Sequence, residues 1–218
     1  MALSHEEAKA FYDRFGSKQD LQNFYEDGAI AALIAHASLE AADSVLEFGC
    51  GTGRLGERLL AGHLSSTARY LALDISETMV SIARDRLARF GDRVAVRRTS
   101  GETCLPAASG SIDRVLSTYV MDLLSDEDSR AFVNDAHRVL SGKGILVLSS
   151  LAHGSGLVPG LIDHVWTLLF SICPRWVGGC RPISLLPFLQ DPAWRLLHHE
   201  RVVQWGITSE VVVAERAG

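Results

Sequence analysis

No Cys-x-x-Cys spacing links the four cysteines, Cys50, Cys104, Cys173 and Cys180, so the signatures of a structural zinc site and of a dithiol redox pair are both missing. Scattered cysteines, of which only Cys173 and Cys180 lie close in sequence, fit a reducing compartment better than a disulfide framework. Basic charge is also short. With 21 Lys and Arg against 26 Asp and Glu, the formal net charge is -5, which argues against a general nucleic-acid binder. Arg84, Arg86, Arg89, Arg93, Arg97 and Arg98 lie close together, but they read as a solvated helix face with its adjoining turn. The opening MALSHEEAKAFYDRFG carries two glutamates and a histidine where a secretion signal needs a basic and then an apolar stretch, so a cytoplasmic protein is expected. The longest apolar run, GLVPGLIDHVWTLLFSI (Gly156–Ile172), is broken by Pro159, Asp163 and His164 and is too short to span a bilayer. There is no internal repeat, low-complexity tract or Pro/Gly/Ser-rich linker.

What is present suits one globular domain: 218 residues, 47% hydrophobic and 22% charged. Short apolar runs alternate with helical stripes. SVLEF (Ser44–Phe48), RYLALD (Arg69–Asp74), RVAVRR (Arg93–Arg98), IDRVLSTYV (Ile112–Val120) and ILVLSS (Ile145–Ser150) read as strands. ERVVQW and SEVVVAE, separated by Gly206, read as a final antiparallel pair. Ser76 is placed as a helix N-cap ahead of the stripe Met79, Ala83, Leu87 and Phe90. Ser125 opens another helix with a capping-box pattern, and Ser141–Gly144 (SGKG) is expected to stop it. This alternation predicts an α/β, Rossmann-like, doubly wound sheet, mostly parallel with an antiparallel C-terminal strand and helices on both faces. We divide it into an N-terminal helical cap (1–40), a core (41–151), a helical lid insert (152–195) and a C-terminal strand pair (196–218).

Ligands in such folds sit at the C-terminal ends of the strands, by the switch point. Here the first strand runs into Gly49-Cys50-Gly51-Thr52-Gly53, with Glu47 just ahead. Glycines permit the turn and let a ligand lie against bare backbone. The spacing is not G-x-x-x-x-G-K-[ST], which argues against a nucleoside-triphosphate loop, nor is it the dinucleotide G-x-G-x-x-G. A carboxylate at Glu47 repels a pyrophosphate and suits a cationic amino group. Asp74 ends the second strand 21 positions after Gly53, placed to accept ribose hydroxyls.

VLEFGCGTG closely resembles the first motif of the class I S-adenosylmethionine-dependent methyltransferases. The resemblance implies that Glu47, Gly49, Cys50, Gly51 and Gly53 hold the methionyl-ribose part of S-adenosyl-L-methionine, and that Ile75 and Met79 of DISETM line its adenine. A methionine at that helical position is equally a core residue. The stretch TSGETCLPAASGSIDRVLSTYVMDLL (Thr99–Leu124) matches a further family segment, with one departure. Gly101 stands where many relatives carry an Asp that receives the adenine amino group, so Glu102 or a backbone carbonyl is the substitute. AFYDRFGSKQDLQNFYED resembles the family's variable N-terminal helix, so Tyr12, Phe15 and Tyr25 are candidates for closing over the cofactor or for ordinary packing.

A methyltransferase chiefly aligns a nucleophile with the methyl group. Asp122 after the fourth strand and His153 after the fifth are the candidate bases, and Tyr119 a candidate for orienting the acceptor. No N-P-P-Y sequence follows the fourth strand; STYV stands there. Together with the acidic charge this favours a small-molecule acceptor, apolar or lipid-like, over nucleic acid, and S-adenosyl-L-homocysteine is the expected product. No metal is expected. The insert helix around Val165, Trp166, Leu168, Leu169 and Phe170 reads as a lid over the acceptor, a peripheral membrane or dimer contact, or a helix buried against the domain. A nicotinamide-dependent oxidoreductase is the rival enzyme class, and a non-catalytic S-adenosylmethionine-binding regulator or partner subunit the rival outside catalysis.

Overall fold

The computed structural model describes residues 4–16, 19–20 and 23–217, so parts of the N-terminal cap and the last position of the strand pair lie outside it. Seven strands form one sheet in the order β3-β2-β1-β4-β5-β7-β6. They are β1 (Ser44–Phe48), β2 (Arg69–Asp74), β3 (Val94–Arg98), β4 (Ile112–Thr118), β5 (Leu140–Leu151), β6 (Trp194–Gln204) and β7 (Ile207–Arg216). The first five are parallel, and β7 runs antiparallel to both β5 and β6. Sheet order reverses between β1 and β4, which places the switch-point crevice at the ends of those two strands.

Side-chain alternation divides the central strands between two cores. Val45, Ile145, Val147, Val211 and Val213 face one cluster, which is closed by α2 (Asn23–His36), α3 (Arg54–Gly62) and α4 (Glu77–Leu87). Leu46, Phe48, Leu146, Leu148 and Val212 face the other, closed by α5 (Asp126–Val139). On α5 the stripe Phe132, Ala136 and Val139 is fully buried. Burial on both faces explains why β1, β5 and β7 read as continuous apolar runs.

The caps act locally. Ser4 and Glu7 form a reciprocal capping box at the start of α1 (His5–Phe15). The Ser76 hydroxyl accepts from the Met79 N–H at 3.1 Å, and the Ser125 hydroxyl from the Asp128 N–H at 3.0 Å. The ends of several elements differ from the sequence reading. Ser141–Gly144 does not stop α5; Leu140 is already extended and buried, paired with Ile112, and the four residues belong to β5. β4 stops at Thr118, because Tyr119 takes a left-handed backbone (φ 55°).

The arginine run is largely a solvated face, as its sequence suggests: Arg84, Arg89, Arg97 and Arg98 are exposed. Arg86 pairs with Asp20 at 2.6 Å, Arg89 with Glu57 at 3.1 Å and Arg98 with Glu77 at 2.8 Å. Arg93 donates to the carbonyls of Ala68 and Ser65.

The insert forms α6 (Leu157–Ile172), and none of its residues is buried. Leu157 is 94%, Leu161 66% and Ile172 62% exposed, so the helix is not packed into the domain as a buried element. It rests on the sheet edge through Ile162 beside Gly206 and through the Trp166 indole N–H, which donates to the Cys180 carbonyl at 3.0 Å. Among the described residues no helix is long and apolar enough to cross a membrane.

Candidate active site

The glycine loop turns because Gly49, Gly51 and Gly53 all have positive φ (78°, 51° and 77°), a region costly for other residues. Their roles differ. A Cβ on Gly49 would lie 2.2 Å from Val120 Cγ2, and one on Gly51 2.8 Å from Gln19 Oε1. Both glycines line the cleft at the switch point. Gly53 faces away; its Cβ would meet Ala83 at 3.0 Å, so it lets α3 and α4 pack closely.

The loop is tied to β2. The N–H groups of Gly49 and Cys50 both donate to the Leu73 carbonyl at 2.8 Å. Asp74 accepts from the Gly51 N–H on one carboxylate oxygen and from the Ser76 N–H on the other, each at 2.8 Å. Burial pushes its carboxyl up, against these two backbone bonds. Asp74 therefore clamps the loop to the start of α4, while each oxygen keeps a lone pair for a hydroxyl of a ligand.

Glu47 is 1% exposed and accepts from the Tyr70 hydroxyl at 2.8 Å. Burial pushes its carboxyl up to about 8, with the Tyr70 hydrogen bond opposing the shift. The sequence reading passed over Tyr70. The signal was the strand period: Tyr70, Ala72 and Asp74 share one face of β2, and the register Val45↔Tyr70 and Glu47↔Ala72 puts that face beside Glu47.

On the far side of the cleft, Ile75, Met79 and Gly101 line the wall. Met79 is 1% exposed, so it serves core and wall at once. A Cβ on Gly101 (φ 100°) would sit 2.9 Å from both Ile75 Cδ1 and His5 Nδ1, which explains why the residue lacks a side chain. Glu102 does not replace it. Its carboxylate folds back onto Ser100, taking both the N–H (2.7 Å) and the hydroxyl (2.5 Å), and it does not line the cleft.

Helix α1 roofs the cleft with His5, Ala8 and Tyr12. It is pinned by Asp13, which accepts from the Ser76 hydroxyl at 2.6 Å and the Thr78 N–H at 3.3 Å. Some burial raises the Asp13 carboxyl, but hydrogen bonds from Lys9 and Ser76 outweigh it and bring it down to about 2.

A second cavity of about 360 Å³ lies across the loop and shares Gln19, Gly49, Thr118 and Tyr119 with the first. Glu47 and Cys50 line this one, together with Glu26 of α2 and Arg54 of α3. Tyr119 stands between the two. Its hydroxyl bonds the Ser209 hydroxyl at 2.8 Å, and its ring meets Tyr25 edge-on at 5.7 Å. Asp122 lies behind, fully buried and lining neither cavity, with no hydrogen bond of ordinary geometry to its carboxylate among the described residues. Burial pushes its carboxyl up to about 6, with its own backbone N–H, Ser150 and Cys180 pulling the other way. Tyr12, Tyr25, Tyr119, Glu26 and Cys180 all feel its charge. His153 is not part of this group. It is more than half exposed and contacts Asp163 of α6 at 3.2 Å.

Residues 45–144 match the family model of a methyltransferase domain. The chain is 28% identical over 146 residues to malonyl-[acyl-carrier protein] O-methyltransferase of Bacillus cytotoxicus, covering 67% of this chain and 47% of that protein. It is 34% identical over 113 residues to demethylmenaquinone methyltransferase of Tropheryma whipplei, covering 52% and 44%. The matched region thus spans about half the length of these curated relatives. Among solved structures, the [4+2]-cyclase SpnF superposes with a TM-score of 0.68 at 17% identity, covering 88% of this chain and 80% of that one. That likeness concerns the fold alone. With the strand order, the glycine loop and the acid at the end of β2 all in place, the chain belongs to the class I S-adenosylmethionine-dependent methyltransferase family.

Proposed function

We propose that the protein binds S-adenosyl-L-methionine in the cleft beneath α1 and transfers its methyl group to a small-molecule acceptor in the adjoining cavity. The observation that carries this is the cleft at the switch point, lined by the bare backbones of Gly49 and Gly51, beside a buried carboxylate at Glu47.

The residues present fit the group. Gly49 and Gly51 take the methionyl-ribose portion against the main chain, Asp74 offers lone pairs to the ribose hydroxyls, and Glu47, which lines the second cavity where it adjoins the loop, meets the amino group there. Ile75, Met79 and the open side of Gly101 take the adenine. When bound, S-adenosylmethionine supplies an activated methyl on a sulfonium with a good leaving group. The chain's own work is alignment and exclusion of water. Tyr12 and the rest of α1 cover the cleft, Tyr119 holds a fixed wall between cofactor and acceptor, and Asp122 takes a proton where the acceptor must lose one. We assign no chemical step to His153, which lies outside this group. The relatives named above act on a carrier-borne acid and on a quinone precursor, and these names support a small or carrier-borne acceptor without choosing one. A partner protein that only held the cofactor would need the cleft but not the second cavity, so that cavity favours an enzyme.

The test is calorimetric titration of S-adenosyl-L-homocysteine, with NADH as control. Micromolar binding of the former alone supports the reading, and the search for acceptors then follows. Binding of NADH instead, or of neither, overturns it.

A further inference from the structure

The wall formed by Ile75, Met79 and Gly101 meets an imidazole from another part of the chain. His5, the first residue of α1, lines the same cleft. Gly101 leaves room for its ring. A Cβ at 101 would lie 2.9 Å from His5 Nδ1 and 3.0 Å from His5 Cγ, closer than unbonded atoms rest. A side chain at 101 and the His5 ring therefore compete for one place, and the imidazole holds it. The two ring nitrogens are not equivalent. Nε2 lies 3.5 Å from Asp128 Oδ2, and the same oxygen accepts from the Ser125 hydroxyl at 2.7 Å at the start of α5. A ring nitrogen turned to a carboxylate carries the proton, which leaves the other as an acceptor. That acceptor, Nδ1, makes no hydrogen bond among the described residues.

We propose, resting on the cofactor reading above, that His5 sets the specificity for adenine, with Nδ1 accepting from the 6-amino group of the bound nucleoside. Ile75 and Met79 give the rings an apolar surface that does not distinguish one purine from another, so the choice falls to a polar atom at its edge. The contact comes from the helix that roofs the cleft, and it is made only while α1 is seated by Asp13 on Ser76 and Thr78. Recognition of the base and covering of the cleft are thus one event. A purine with a carbonyl oxygen at that position sets an acceptor against an acceptor, or drives the ring to its other tautomer at the expense of the Asp128 contact.

The probe is S-inosylhomocysteine, which differs from S-adenosylhomocysteine by an oxygen in place of the amino group. Both are titrated calorimetrically into the protein at pH 8. We expect wild type to prefer the adenosine compound by at least about tenfold. His5→Ala should cut that preference to less than about threefold, chiefly by weakening the adenosine compound. His5→Gln, whose amide oxygen still accepts, should restore part of it. Gly101→Ala, whose new Cβ displaces the imidazole, should also lower the preference, and adding His5→Ala to it should lower it no further. The ratio separates recognition from packing, because a loosened α1 weakens both compounds alike. No preference in wild type, or equal loss of both compounds in His5→Ala, would overturn the proposal. A preference that survives in His5→Ala would also overturn it and pass the role to Thr99, which lines the cleft too. Failure of both compounds to bind wild type would instead overturn the cofactor reading on which the proposal rests.

Discussion

The pair Tyr70 and Glu47 allows the cofactor assignment to be tested without touching the glycine loop. Both residues are 1% exposed, and the Tyr70 hydroxyl lies 2.8 Å from Glu47 Oε2. Among the described residues this is the hydrogen bond that the Glu47 carboxylate receives. A bond to a charged acceptor is worth about 1.5–3 kcal/mol. Tyr70→Phe removes it and keeps the ring, whose space against Gly56 is already set: a Cβ on Gly56 would be 3.0 Å from the ring. Burial already pushes Glu47 up to about 8. Without the hydroxyl, its ionised form becomes costlier still, by roughly one to two pH units at about 1.4 kcal/mol per unit.

The consequence is selective. In wild type, affinity for S-adenosylhomocysteine should rise with pH up to about 8 as Glu47 ionises to meet the ligand's ammonium. In Tyr70→Phe the rise should move to higher pH, leaving binding at pH 8 about fivefold to fiftyfold weaker. Methylthioadenosine has the same nucleoside but no amino-acid tail, so its affinity should change by less than about twofold, because it makes no ion pair for the variant to lose. Calorimetry of both ligands between pH 6.5 and 9 measures the contrast. Equal loss for the two would reduce Tyr70 to packing. No loss for either would mean that Glu47 does not meet the tail, and the reasoning would fail.

The free protein should lose stability as pH rises from about 4 to 7, because the Asp122 carboxyl is raised from 3.8 to about 6. A raised acid favours the folded state only while protonated, so about 3 kcal/mol present below pH 4 is lost by pH 7. Thermal melts across that range check this, and Asp122→Asn should flatten the curve. Gly49→Ala should abolish S-adenosylhomocysteine binding, with the new Cβ 2.2 Å from Val120, whereas Gly53→Ala, against the Ala83 backbone at 3.1 Å, should lower the melting temperature while sparing much of the binding. Replacing Leu157, Leu161 and Leu168 of α6 by Ser should change stability by less than about 1 kcal/mol, since all three are more than half exposed. The same change should reduce self-association or adhesion to apolar surfaces, read by light scattering.

The strands of the sheet's middle were readable because burial on both faces leaves an uninterrupted apolar run, as in ILVLSS. The edge was harder. β6 begins at Trp194, well before ERVVQW, and exposes much of WRLLHHE, so its apolar and polar residues do not alternate as a half-buried strand would. SGKG carries a strong stop signal for a helix, yet Leu140 is needed in the sheet opposite Ile112, and tertiary pairing overrides local preference.

The site divides in the same way. The cofactor cleft was legible because its recognition is written into adjacent residues, a strand end, three glycines and the next strand's acid, whose backbone angles the sequence itself dictates. Cys50 shows the limit of that reasoning: it belongs to the loop but lines the second cavity, with its thiol pushed up by burial. The group around Tyr119 comes from parts of the chain that only the fold unites. Tyr12 and Tyr25 come from two helices before β1, Tyr119 and Asp122 from the end of β4, and Cys180 from beyond α6. No spacing in the sequence records such a meeting. Even so, one fact about these residues had a chemical reading once they met. A fully enclosed acid is tolerated in a core only at a cost of several kcal/mol, and burial, by raising the Asp122 carboxyl to about 6, keeps it nearer its neutral form than an exposed acid.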